Sequence, residues 1–183
     1  MSKRIWMVFD VESIGLHGEG FAVGFVVVDE VGNELDSGRY VCPQSAASGL
    51  MDADTDPARK WLAENIPPMA TTHAMPHQVR AAFWEKWQKW KEEGALLVAD
   101  CGWPVEARFL TACVGDEPQL REWSGPYPLH ELGTFMLAAG LDPLAAYGRV
   151  GANELPAHDP LADARQSARL LLENCVGGQE GTP

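Results

Sequence analysis

Apolar residues run from Ile5 to Phe9 and the run closes on Asp10. A short unbroken apolar stretch of this kind predicts a strand buried on both faces. Behind it, "FAVGFVVVDEVGNELDSGRYVCP" holds two β-rich segments around Gly32-Asn33, which predicts a hairpin. The opening is thus three strands, antiparallel neighbours at one side of a sheet. The period then changes. "TDPARKWLAENIPP" predicts a short helix opening near Asp56-Pro57 and stopped by Pro67-Pro68. Val79, Phe83, Trp87 and Trp90 recur at helical spacing with charges between them, a longer helix that Gly94 ends. "ALLVAD" reads as a short buried strand, and "VEARFLTACV", "LHELGTFMLAAG" and "DPLADARQSARLLLENC" as three further helices. In the last of these, Leu161, Ala164, Ala168 and Leu171 form the inward stripe. Strands first, then helix–strand alternation, predict an α/β fold with a mixed central sheet flanked by helices.

With 183 residues, 46% of them hydrophobic, the chain reads as one domain over residues 1–176, followed by a loose tail, "GGQEGTP". Lys3 and Arg4 precede an apolar run too short for a signal peptide or a membrane span. Cys42, Cys101, Cys113 and Cys175 are scattered without CxxC spacing, the pattern of buried free thiols in a reducing cytoplasm. Fourteen basic against 26 acidic residues give a net charge of −12. That excludes a broad nucleic-acid-binding surface, which needs Lys and Arg in number. It leaves room for a small site in which metal ions carry the positive charge.

Two positions then change the picture. On a strand Asp10 and Glu12 project from one face, about 7 Å apart at roughly 3.4 Å per residue. Two carboxylates so placed repel unless a hard divalent cation lies between them. Alone, D-x-E also fits a strand that has surfaced into solvent. Near the other end, "AHDPLADARQSARLL" spaces His158 and Asp163 as H-x4-D, with the Asp on the first turn of the last helix. A carboxylate and an imidazole there could face the first pair as a further ligand and a general base.

D-x-E on the first strand, a hairpin behind it and a late H-x4-D resemble the DEDDh family of 3′–5′ exonucleases. That family includes polymerase proofreading subunits, RNase T and oligoribonuclease, on a ribonuclease-H-like fold. The resemblance spans Ile5 to about Asn174. "HDPLADA" is similar to the family's H-x-x-L-x-D-A pattern, with Pro160 in place of a small residue. Ser13-Ile14-Gly15 stands where the family often has Thr-Thr-Gly. For the middle carboxylate, "LLVADCGWPVEARFL" offers Asp100 by residue type and Glu106 by its place three residues before Phe109-Leu110.

The resemblance implies two Mg²⁺ or Mn²⁺ ions. Asp10 would bridge them, Glu12 and Asp163 would hold the water-activating ion, and Glu106 or Asp100 would serve the second. It implies His158 as the base, and the 3′ end of single-stranded RNA or DNA as substrate. Ser13, Ile14, Gly15 and Leu16 would lie beside the terminal nucleotide, with Ile14 or Leu16 wedged against its base. A homodimer is also within the family's habit. Against this, Arg165 and Arg169 read as solvated surface, and the Trp stripe as core or interface rather than a base-stacking platform. His73 and His77, with Pro76 between them, read as a loop bordering the substrate. A silent relative that binds a nucleic-acid end or a protein partner, and a phosphodiesterase for very short oligonucleotides, are the rival readings.

Overall fold

The computed structural model describes residues 4–49 and 57–176. The expected helix start at Asp56 and the tail from Gly177 lie outside them. The first strand, β1 (Ile5–Ser13), is apolar because it has a neighbour on each side. It pairs antiparallel with β2 (Gly20–Asp29) and parallel with β4 (Leu96–Ala99). Adding β3 (Glu34–Val41) and β5 (His130–Glu131), the sheet order is β3-β2-β1-β4-β5. The expected hairpin is present, turning at Gly32 with φ +89°. The Asp29 carboxylate accepts hydrogen bonds from the Val31 and Asn33 amides and closes that turn.

Side-chain alternation divides β1 between two cores. Met7, Phe9 and Val11 pack with Val79, Phe83, Trp84 and Trp87 of α2 (Pro76–Glu92) and Phe109 and Cys113 of α3 (Ala107–Asp116). The Trp stripe is therefore core. Trp6 and Val8 face the other way, toward Leu132 and Met136 of α5 (Leu132–Ala138) and Ala164, Ala168 and Leu171 of α6 (Pro160–Leu171). Leu161, expected inward with them, is only half-buried at the start of α6. By the same alternation, Asp10 and Glu12 are on the α6 side.

Three boundaries differ from expectation. β1 continues three residues past Asp10, because β2 keeps pairing with it after β4 has stopped opposite Phe9. His130-Glu131, expected as helix, pairs with Val98 and Ala99 as the edge strand β5, and the helix begins only at Leu132. A one-turn helix, α4 (Pro118–Arg121), was not expected. The short helix α1 (Pro57–Asn65) ends before Pro67 as expected. Cys42 and Cys113 are buried free thiols, while Cys101 is exposed. No helix among the described residues is long and apolar enough to cross a membrane.

Candidate active site

Where β4 stops at Ala99, β1 runs on without a neighbour on that side, at the carboxyl ends of two parallel strands. In open α/β sheets this is where ligands gather. The last tie between the strands is the Asp100 amide donating to the Phe9 carbonyl, 3.3 Å. Asp10 follows directly.

Helix α6 brings the second half of the site. It opens with Asp159 as N-cap, whose Oδ1 accepts from the amides of Leu161 and Ala162, and Pro160 takes the first helical position. Arg39 of β3 pairs with the other Asp159 oxygen and ties the helix start to the sheet. One turn in, the Asp163 Oδ2 accepts from the His158 amide at 3.0 Å. That bond holds His158 with φ +61°, a left-handed backbone unusual outside glycine and a common mark of functional positions. The His158 ring is partly exposed, with Nδ1 3.9 Å from Glu12 Oε1 and its face edge-on to Trp61 of α1. Glu12, His158 and Asp163 each offer a ligand atom, all within 4.8 Å of one another.

Asp10 lies at the centre of a wider acidic cluster. Burial, followed by repulsion from Asp100, Glu12, Asp163 and Glu106, holds its carboxyl well above the ordinary range. Burial, with Asp163, Glu106 and Asp159 beside it, pushes Glu12 up to about 8. Glu106, 4% exposed at the end of a wide helical turn (Gly102–Glu106), is pushed by burial to about 7, and a backbone hydrogen bond from Val11 partly offsets this. Asp100 and Asp163 are raised by burial too. Hydrogen bonding by Ser167 opposes the shift at Asp100, and Arg149 opposes it at Asp163. Five carboxylates so close cannot all ionise on their own. An all-oxygen cluster with one imidazole at its rim is the donor set a hard divalent cation takes, so the residues fit Mg²⁺ or Mn²⁺.

Both candidates for the middle carboxylate reach the cluster, by different routes. Asp100 hangs from β4 and accepts from Ser167 Oγ at 2.6 Å, one turn beyond Asp163 on α6. Glu106 leads into α3. Glu131 of β5 steadies the turn between them by accepting from the Gly102 amide.

Beside Glu12 lies a cavity of about 390 Å³, bordered by Ser13, Gly15, Leu16 and Trp61. Ile14, proposed above as one of two possible wedges, is 2% exposed and packs in the core, whereas Leu16 is 64% exposed. The loop carrying Leu16 is anchored by Glu19, which pairs at 2.8 Å with Arg80 of α2. Arg165 is occupied by Glu34, and Arg169 by Glu154 and Glu173. His73 shares a hydrogen bond with Thr72 and packs edge-on to Tyr40, and neither His73 nor His77 borders the cavity beside Glu12.

Four residues at the site have no motif behind them. Ser167 was legible in principle, four residues beyond Asp163 on one helical face. Trp61 sat in an expected helix, without a sign of which way it faced. Arg149 and Glu131 come from the loop before α6 and from an unforeseen strand, which periodicity does not place.

The mixed sheet with its flanking helices bears out the expected ribonuclease-H-like fold class. Among solved structures, the chain is similar to a moderately thermophilic Exonuclease I from Methylocaldum szegediense, with a TM-score of 0.53 and 17% identity. The match covers 92% of this chain and 40% of that one, so the chain spans less than half of its neighbour's length. At that identity the likeness shows the fold. No protein-family model matches the chain, and no curated protein matches it.

Proposed function

We propose that the protein is a metal-dependent 3′–5′ exonuclease that hydrolyses the terminal phosphodiester of single-stranded RNA or DNA. The observation that carries this reading is the convergence of Asp10, Glu12, Asp100, Glu106 and Asp163 where β4 ends, with His158 at the rim. Two Mg²⁺ or Mn²⁺ ions, held by Asp10, Glu12 and Asp163 with Glu106 or Asp100, would supply an activated water and neutralise the departing 3′-oxygen.

The protein's own groups do the rest. His158, exposed enough to meet water and fixed by the hydrogen bond its backbone amide donates to Asp163, accepts the proton of the attacking water. Ser167 fixes Asp100 by donating to one of its oxygens. The cavity beside Glu12 offers apolar surface from Leu16 and Trp61 to the terminal base, as aromatic and apolar side chains do for unstacked nucleotides. Discrimination between RNA and DNA would come from contacts to the 2′-OH of the bound nucleotide.

A second reading, a phosphodiesterase for oligonucleotides of a few residues, is favoured by the state of the arginines. Arg39, Arg149, Arg165 and Arg169 each pair with a carboxylate, and the net charge is −12. Such a surface suits a substrate with few phosphates. Incubating 5′-labelled RNA and DNA of two to twenty nucleotides with Mg²⁺, Mn²⁺ or EDTA tests both. Shortening from the 3′ end in metal alone supports the exonuclease. Cleavage confined to the shortest substrates favours the second reading, and no cleavage in any arm removes both.

A further inference from the structure

Arg149 projects from the loop between α5 and α6 into the acidic cluster. Its Nη2 lies 2.5 Å from Asp163 Oδ1, and its Nη1 donates to the Glu154 carbonyl at 2.6 Å. The loop beneath it is firmly mounted. Glu154, almost fully buried, accepts from the Val150 amide at 2.7 Å and pairs with Arg169 of α6 at 2.7 Å. The guanidinium is therefore held at one corner by the protein and leans into the carboxylates with the other.

The contact with Asp163 has an unusual quality. The two atoms are close, yet the buried Asp163 Oδ1 receives no aligned hydrogen bond. An arginine placed there for structure would meet the carboxylate with its parallel N–H groups, as Arg165 meets Glu34 and Arg80 meets Asp116. Here charge is compensated and direction is not. The attraction of Arg149 also reaches Asp100, so one guanidinium acts on two carboxylates, one beyond the end of β4 and one on α6.

We infer that Arg149 is the cluster's resident counter-cation and exchanges partners during function. A divalent ion that binds Asp163 displaces the guanidinium from it, and the freed group, still tethered at Glu154, takes the non-bridging oxygens of the substrate's phosphate. This rests on the metal-site reading above. A guanidinium's planar fork suits a phosphate as well as a carboxylate, and its positive charge keeps it away from the ions once they are seated. Electrostatics favours the exchange: a guanidinium 2.5 Å from a carboxylate oxygen and a divalent ion on the same carboxylate repel each other.

The exchange makes two predictions that a structural arginine does not. In Arg149→Met the ions no longer compete with a resident cation, so Mn²⁺ measured by titration calorimetry without substrate is expected to bind at least threefold more tightly than in the wild type. In the same variant KM for a short labelled oligonucleotide is expected to rise tenfold or more, because the phosphate has lost its partner. Arg149→Lys keeps the charge without the fork and is expected to fall between the two in both measurements; it also serves if the Met variant does not fold. Tighter Mn²⁺ together with a raised KM supports the exchange. Unchanged or weaker Mn²⁺ binding in both variants, with wild-type protein binding the ion normally, overturns the exchange and leaves the metal site standing. Wild-type protein that binds no Mn²⁺ at millimolar concentration overturns both.

Discussion

Gly24 stands directly across the β1–β2 ladder from Asp10, and the start of α6 rests on it. A Cβ at Gly24 would lie 2.1 Å from the Leu161 amide nitrogen and 2.4 Å from the Pro160 carbonyl oxygen. Backbone cannot approach any side chain so closely. The bare glycine is what lets α6 carry Asp163 and Ser167 down to the central carboxylate.

Gly24→Ala is therefore expected to lift the start of α6 away from β2. Overpacking of this kind costs roughly 1–3 kcal/mol. Urea unfolding measures that cost, and divalent-ion binding measures the displacement of Asp163. The expected result is a larger loss of Mn²⁺ affinity than of stability; a variant as stable and as tight as wild type contradicts the account of how α6 is placed.

Stability in metal-free buffer is expected to fall as pH rises from about 5 to 8. Glu12 and Glu106 hold their protons in the folded state to about 8 and about 7, against an ordinary 4.5. Between those limits the folded chain binds more protons than the unfolded one, so each step up in pH favours unfolding. Glu34, Asp36 and Glu154 are shifted downward, and their contribution is lost only at acid pH below this window. The expected fall in Tm between pH 5 and 8 is at least about 5 °C, which corresponds to about 1–2 kcal/mol in a chain of this size. Millimolar Mn²⁺ is expected to reverse it, most strongly at pH 8. Matched ionic strength in NaCl is the control, since salt alone screens repulsion in so acidic a chain. A Tm that rises across this range in EDTA contradicts the crowding of the carboxylates.

His158→Ala is expected to lower kcat by roughly 10²–10⁴-fold, the usual scale for a lost general base, with Mn²⁺ affinity kept within a few-fold. The closeness of its Nδ1 to Glu12 makes the second readout decisive. A collapse of metal affinity would make His158 a ligand instead of the base.

Glu106→Gln and Asp100→Asn separate the two routes into the cluster. The amide at the position that serves the ions is expected to reduce turnover far more than the amide at the other. Asp100→Asn can still accept from Ser167 through its carbonyl oxygen, so its fold is expected to hold. Equal, small losses from both changes would favour a silent relative.

Much of the site could be read from particular residues. The apolar run before Asp10 marks an innermost strand because only a strand with two neighbours can be apolar on both faces. D-x-E and H-x4-D mark the two halves because each places charge at the end of a buried element. Other features depend on information that local pattern lacks. That Glu12 is still in a strand follows from β4 stopping opposite Phe9, a fact about another segment. Ile14 and Leu16 look equivalent as wedges in sequence, and only the turn after β1 decides that Ile14 enters the core. Asp100 and Glu106 were left as alternatives, and the fold brings both to Asp10. Arg149 belongs to no periodic segment, so its position is known only once the loop is traced.

The central claim is that the cluster around Asp10 is a metal-dependent phosphodiesterase centre, and turnover of Asp10→Asn tests it most directly. The variant keeps the size of the side chain and removes the charge on which the other four carboxylates converge. On a 5′-labelled oligonucleotide in saturating Mn²⁺, the account predicts loss of at least about 10³-fold in kcat, roughly 4 kcal/mol of barrier, with the fold intact. Cleavage by Asp10→Asn at the wild-type rate would contradict it.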